Sequence, residues 1–133
     1  MSITKKYLRP GFFLSKIINP LIMRSGLVPV LVVKGRKSGK LISTPITPFH
    51  YMGQVYLVSP RGETQWVRNL RIAKQGKLIK KGKTQYFRGV ELQGKLRDTV
   101  VAAYRKEMKV TESQFRLLPD LSDHPAFKVE LIK

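Results

Sequence analysis

The sequence predicts an α+β fold that is mainly β with helices: about six antiparallel strands in a small barrel with helical cover. Three observations carry this expectation. Six short runs rich in Val, Ile, Leu, Tyr and Phe sit between Gly- and Pro-bearing breaks, the pattern of strands joined by turns. Two breaks, Gly53-Gln54 and Gly82-Lys83, are short enough for hairpins, which join antiparallel neighbours. Three longer stretches read as helices, enough to cover such a sheet. At 133 residues the chain is expected to be a single domain, 1–133, large enough for one core and too small for two.

Residues 1–13 are a basic and aromatic lead with Lys5, Lys6, Tyr7, Arg9, Phe12 and Phe13. Leu14, Ile17, Ile18, Leu21 and Ile22 recur at helical spacing and predict a helix over 14–24, divided by Pro20 and ended by Ser25-Gly26. Strands are expected at 28–34 and 41–51, with Pro45 and Pro48 marking an edge, bend or bulge in the second. Residues 55–59 complete a hairpin with 41–51, and Pro60-Arg61-Gly62 breaks the pattern. A helix over 64–75 takes Thr64 as N-cap and Gly76 as stop, with Trp66, Leu70 and Ala73 on one face. Strands at 78–81 and 84–92 follow, the latter with a bulge at Gly89. The chain ends in a helix over 96–108 with Asp98 complementing its dipole, further helical turns at 112–118, and a closing strand at 127–132.

Composition narrows the partners. The 26 Lys and Arg against 8 Asp and Glu give a formal charge of +18, which calls for an anionic partner: nucleic acid, an acidic membrane surface or a highly charged small molecule. There is no cysteine, so no disulfide framework or thiolate chemistry, and His50 and His124 are the only imidazoles, so no metal site is expected. The apolar stretch after the lead is broken by Lys16, Asn19, Pro20 and Arg24, so neither a signal peptide nor a membrane span is read there. A cytoplasmic protein is expected, its basic lead suited to peripheral contact with an anionic membrane. Nucleic acid is disfavoured because aromatics do not interleave with cations on one strand face; only Tyr86-Phe87-Arg88 comes close. The Lys74, Lys77, Lys80, Lys81, Lys83 run reads mainly as solvated surface and edge protection.

The richest segment is 30–45, VLVVKGRKSGKLISTP. Two strands joined by a turn of Gly, Arg, Lys and Ser place backbone N–H groups and cations on one rim, suited to phosphate or carboxylate. The competing reading is a solvated hairpin tip.

Further motifs follow in order. Gly35-Arg36-Lys37-Ser38-Gly39 is followed by Ser43-Thr44-Pro45, a strand leading to Arg61-Gly62, then Trp66-Val67-Arg68-Asn69-Leu70 and an apolar C-terminal strand. With these motifs in this order the chain resembles the deazaflavin-dependent nitroreductases and quinone reductases, enzymes with an FMN-binding-like split β-barrel that use coenzyme F420. The resemblance covers residues 12–133. Two departures weaken its substrate half. The step from Arg61 to Trp66 is about three residues shorter than the family pattern, and residues 104–123 offer only Tyr104 and Phe115 where the family carries several tyrosines.

The resemblance implies an oxidoreductase that passes a hydride from reduced F420 to a flat, electron-poor acceptor such as a quinone or nitroaromatic. The alternatives are an FMN-binding split barrel and a basic nucleic-acid-binding barrel without activity. It implies cofactor contacts from Arg36, Lys37, Ser38, Gly39, Thr44, Pro45, Ser59, Arg61, Gly62, Trp66 and Asn69. Val58, Trp66 and Pro45 are candidates to close a slot over the ring, and Tyr51, Tyr56 and Tyr104 are candidate proton donors. Trp66 on the inner face of its helix reads more readily as core than as cofactor wall, and Asn69 also reads as a residue that ties down a loop. Phe12, Phe13, Tyr104, Met108 and Phe115 are expected to line a loose acceptor pocket, and by analogy with other split barrels a homodimer is a candidate assembly.

Overall fold

The computed structural model describes residues 28–132. The strands are β1 (Val30–Lys34), β2 (Leu41–Pro45), β3 (Phe49–Tyr51), β4 (Gln54–Val58), β5 (Gln75–Lys80), β6 (Lys83–Glu91) and β7 (Ala126–Leu131). Helix α1 (Gln65–Ala73) lies between β4 and β5, while α2 (Gly94–Glu107) and α3 (Glu112–Leu117) lie between β6 and β7. All seven strands form one sheet of order β2-β1-β5-β6-β7-β4-β3, antiparallel throughout.

That order forces curvature. β2 and β3 are the two edges, yet only residues 46–48 separate them in the chain. A flat sheet would hold its edges about 29 Å apart, at roughly 4.8 Å per strand step. The link from Pro45 to Phe49 reaches at most about 14 Å. The sheet therefore curls until its edges approach, which makes it the α+β split half-barrel expected from the sequence.

Two cores follow from the curl. Leu31, Val33, Leu57, Leu78, Phe87 and Phe127 line the inner face, where Val67 and Leu70 of α1 close one end. On the outer face, Phe49, Tyr56, Val58 and Ala126 pack beneath Val100, Val101 and Tyr104 of α2 and Phe115 of α3.

Several expectations are corrected. The strand expected over 41–51 is two strands, because Pro48 lacks an N–H and the chain must cross between edges there. The total is thus seven strands. The hairpin turns fall one residue earlier than read: Met52-Gly53 and Lys81-Gly82 both take positive φ (51° and 76°; 51° and 77°), as a two-residue turn matching the sheet twist requires. Helix α1 stops at Lys74, in the left-handed conformation with φ 67°, rather than at Gly76, so β5 starts at Gln75. Thr64 occupies the N-cap position of α1, but its hydroxyl makes no cap bond. Gly89 is not a bulge, since β6 pairs with β7 without a break from Phe87 to Glu91. It is a contact point instead, where an added Cβ would lie 3.1 Å from a Leu70 methyl. Asp98 falls beyond the first turn of α2, which begins at Gly94. β5 and β6 are interior strands, so their lysines protect no edge. The helix expected over 14–24 and the lead with Phe12 and Phe13 lie outside the described residues.

Candidate functional site

The β1–β2 turn is built by its own backbone. Gly35 N–H donates to Lys40 O (2.7 Å), Gly39 N–H to Gly35 O (2.9 Å), and Lys40 N–H to Ser38 Oγ (3.1 Å). A Cβ at Gly35 would meet Ile42 Cδ1 at 2.8 Å and Ser38 Oγ at 2.9 Å, so the glycine lets those two side chains close over the turn. Arg36 then clips the turn to helix α1. Its N–H donates to Asn69 Oδ1 (3.1 Å), and its guanidinium Nη1 donates to Asn69 Oδ1 (2.8 Å) and Gln65 Oε1 (3.0 Å). Asn69 is 3 % exposed, so its carbonyl oxygen is held in place by packing as well as by these bonds.

Beside this junction opens a cleft of about 800 Å³. Its floor is one cross-strand row, since Val32 of β1 pairs with Lys77 of β5 and Lys77 pairs with Tyr86 of β6. The turn from Gly35 to Gly39 forms one wall, and Ile72 and Ala73 at the end of α1 form another. Lys34, Arg36, Lys37 and Lys77 line it, and none of the chain's acidic residues does. The N–H groups of Gly35, Arg36, Gly39 and Lys40 are engaged within the protein, so a backbone contribution to anion binding there falls to Lys37 and Ser38, beside the cationic side chains.

Of the residues implied by the resemblance, Arg36, Lys37, Ser38 and Gly39 line this cleft, and Asn69 anchors it from behind. The others do not line it. Thr44 and Pro45 pair with Leu31 and Val30, at the far end of the β1–β2 ladder from the turn. Ser59 is 1 % exposed, and its hydroxyl donates to Gly62 O (2.6 Å), so it fixes the loop before α1. Gly62 serves that same loop with φ 85° and a carbonyl that also accepts from Thr64 N–H (2.8 Å). Arg61 is half-buried within the loop. Trp66 is half-buried against the inner core, its ring centroid 5.9 Å from that of Phe127. Val58 is buried in the outer core and closes no slot.

The three candidate proton donors share the outer core instead of the cleft. Tyr104 meets Phe49 edge-on at 5.4 Å, Tyr51 stacks on Phe49 at 5.8 Å, and Tyr56 is buried beside them. Burial pushes the Tyr104 hydroxyl up to about 12, because the phenolate loses its hydration there. Phe115, expected at an acceptor pocket, is 0 % exposed in the same cluster, so its ring is core among the described residues. His124 is structural: its ring nitrogens face the carbonyl oxygens of Ser59 and Leu118, and its ring stacks on Phe115 at 4.2 Å. Another fixed group is Arg71, held by Glu91 and Glu63 at 2.7–2.9 Å, bonds that raise its pKa against the opposing effect of burial.

Sequence reasoning missed the importance of Tyr86, Lys77, Ile72 and Gln75. For Lys77 and Tyr86 the signal is register, since Tyr86 reaches the cleft beside its cross-strand partner Lys77, whereas Ile72 is brought there by helix α1. Among the described residues, no three His, Asp or Glu side chains gather as a metal site, and no helix is long and apolar enough to cross a membrane.

No family model matches the chain, and no curated protein matches it in sequence. Solved structures do. An F420-H2 dependent reductase, FDR-A, is 19 % identical with a TM-score of 0.60, over 77 % of this chain and 93 % of that one. The heme storage protein HutZ from Vibrio cholerae is 12 % identical with a TM-score of 0.60, over 87 % and 91 %. A FAD-binding protein from Mesorhizobium loti is 13 % identical with a TM-score of 0.52, again over 87 % and 91 %. At these identities the likeness is one of fold: this chain shares the FMN-binding-like split barrel with proteins named for F420-H2, FAD and heme.

Proposed function

We propose that the protein is a reductase that binds a flavin-type cofactor, F420 in the primary form of the proposal and FMN in the alternative, in the cleft between the β1–β2 turn and β5. The observation that carries this reading is the lining itself. Lys34, Arg36 and Lys37 surround a row of Val32, Lys77 and Tyr86 that holds the fourth cation, and no acid lines it, a surface suited to a flat ring that trails several anionic groups. A single phosphate, as in FMN, needs fewer cations than are present. A phosphodiester followed by carboxylates, as in F420, would engage Lys34, Lys37 and Lys77 together. The fold shared with an F420-H2 dependent reductase supports the same reading.

A bound cofactor of this type supplies the hydride chemistry. The chain's part is to hold, orient and shield. Arg36 is fixed by Asn69 and Gln65, so its remaining N–H groups point in a set direction. The Tyr86 ring and the side chains of Ile72 and Ala73 offer apolar faces for a ring and for a flat acceptor beside it. No nucleophile–base arrangement is needed, and a proton for the product comes from water or from Tyr86, the one tyrosine lining the cleft among the described residues.

The test is a fluorescence and absorbance titration of the purified chain with F420, FMN and FAD, followed by oxidation of reduced F420 with menadione-like quinones and nitroaromatics. Saturable binding that weakens at least tenfold in Lys37→Gln/Lys77→Gln, with quinone-dependent oxidation above the buffer rate, is expected. Absence of binding by all three cofactors ends the reading. Binding without turnover replaces it with a cofactor carrier.

A further inference from the structure

Helix α1 closes one end of the half-barrel; among the described residues the other end is an open mouth, with a cavity of about 950 Å³ that shares no described lining residue with the basic cleft. Its walls are mainly apolar, formed by Pro48, Val55, Leu78, Val129 and Leu131, with Thr47, Thr84 and Gln85 among them. Its rim carries Lys80, Lys81, Lys83 and His50. None of the chain's eight acidic residues lines it, and the three lysines make no ion pair among the described residues.

Two features set this lysine cluster apart from an ordinary solvated turn. Lys80 and Lys83 are direct cross-strand partners, and Lys80 shares the inner face with Leu78, as Lys83 does with Phe87. Like charges directly opposite each other destabilise a strand pair. Between them, Lys81 holds a left-handed position (φ 51°) before Gly82, where a two-residue hairpin turn favours Asn, Asp or Gly. Three cations thus crowd one turn against local preference, on strands that are not edges and so need no charged guard. An anion seated among them would remove the repulsion, and the apolar wall below would hold a hydrocarbon body.

We propose that this mouth is a binding site for a single-chain amphiphile: an apolar body ending in a carboxylate or phosphate, its head among Lys80, Lys81, Lys83 and His50 and its body against Val55, Leu78, Val129 and Leu131. The site lies on the inner face of the sheet, whereas the row Val32, Lys77 and Tyr86 alternates with inner-face residues and so lies on the outer face. A ligand here is therefore no acceptor for chemistry in the cleft. It is a second ligand, bound whether or not the reductase reading holds.

The experiment is calorimetry on the full chain with decanoate, decyl phosphate, decanol and decyltrimethylammonium, each below its aggregation concentration. Decanoate or decyl phosphate should bind one to one and raise the melting temperature, and the stronger of the two identifies the head group. Lys80→Gln/Lys83→Gln should weaken that binding at least tenfold, while Lys34→Gln/Lys37→Gln in the cleft should change it less than twofold. The ligand-free Lys80→Gln/Lys83→Gln chain should melt no lower than the parent, since it loses a like-charge pair, and its cofactor titration should be unchanged. Leu131→Glu, at a position 58 % exposed, puts an acid at the mouth and should abolish binding without unfolding the chain. Equal binding of the cationic chain, equal weakening by both lysine pairs, or no effect of Leu131→Glu overturns the proposal. So does binding to anionic vesicles with none to the free decyl compounds, which makes the lysines a membrane contact.

Discussion

Arg36 shows how one residue can belong to both a site and a fold. From sequence it is a cation on a hairpin rim. In the structure it joins the turn to α1 through Asn69 and Gln65. Arg36→Ala is therefore expected to cost about 1–3 kcal/mol of stability, because it leaves the buried Asn69 carbonyl oxygen short of its charged donor. A double-mutant cycle with Asn69→Ala in urea denaturation checks this; strictly additive losses would remove the clip from the account. Arg36→Lys should recover cofactor affinity better than stability, since it keeps the charge and loses the fork. Tyr104 makes a second residue-scale case. Its pKa is raised from near 10 to about 12 by burial, so the folded state favours the neutral phenol. The associated stability is present in full below about pH 10 and is lost as pH rises toward 12, a difference of about 2–3 kcal/mol. Tyr104→Phe should match the parent at pH 7 and exceed it at pH 11–12 in urea midpoints; parallel pH curves would contradict the assigned burial.

At the scale of elements, most of the fold was legible where a local rule governs and illegible where a distant partner does. The hairpins at Met52-Gly53 and Lys81-Gly82 were found to within one residue, because turn chemistry is local. The split of 41–51 into β2 and β3 was visible only as two prolines; that the chain crosses there from one sheet edge to the other depends on pairing. Site residues divide the same way. The Gly35–Gly39 turn was readable from composition, whereas Tyr86 and Lys77 needed the register, and Ser59 and Trp66 were claimed by loop and core. Gly76 shows what register demands. An added Cβ would sit 2.8 Å from Val32 O and 3.2 Å from Val33 Cγ2, so β1 and β5 approach too closely there for a side chain. Gly76→Ala should destabilise by about 1–3 kcal/mol. Because Gly76 also lines the cleft, the same variant should lose cofactor affinity. Thermal melts beside cofactor titrations test both; an unchanged melt would mean that the β1–β5 contact relaxes freely.

Over the whole molecule, the charge of +18 is unevenly matched by acids. Glu63 and Glu91 are taken by Arg71, Glu112 by Arg105, and Glu130 by Arg88 and Lys128, leaving cations as the charged side chains that line the cleft and the barrel mouth. Such a field draws anions from a distance and weakens as salt screens it. The dependence on salt then discriminates between cofactors. If Lys34, Arg36, Lys37 and Lys77 each meet an anionic group, F420 affinity should fall more steeply between 50 mM and 500 mM salt than FMN affinity, which rests on one phosphate. Lys77→Gln removes the cation farthest in sequence from the turn, so it should flatten the F420 slope and leave the FMN slope nearly as it was. Equal slopes for the two cofactors would limit the contact to a single phosphate and favour the FMN form of the proposal. Tight FMN binding with no measurable F420 binding would establish that form outright, and the surplus cations would then be left for an anionic acceptor, whose own salt dependence of binding would show it.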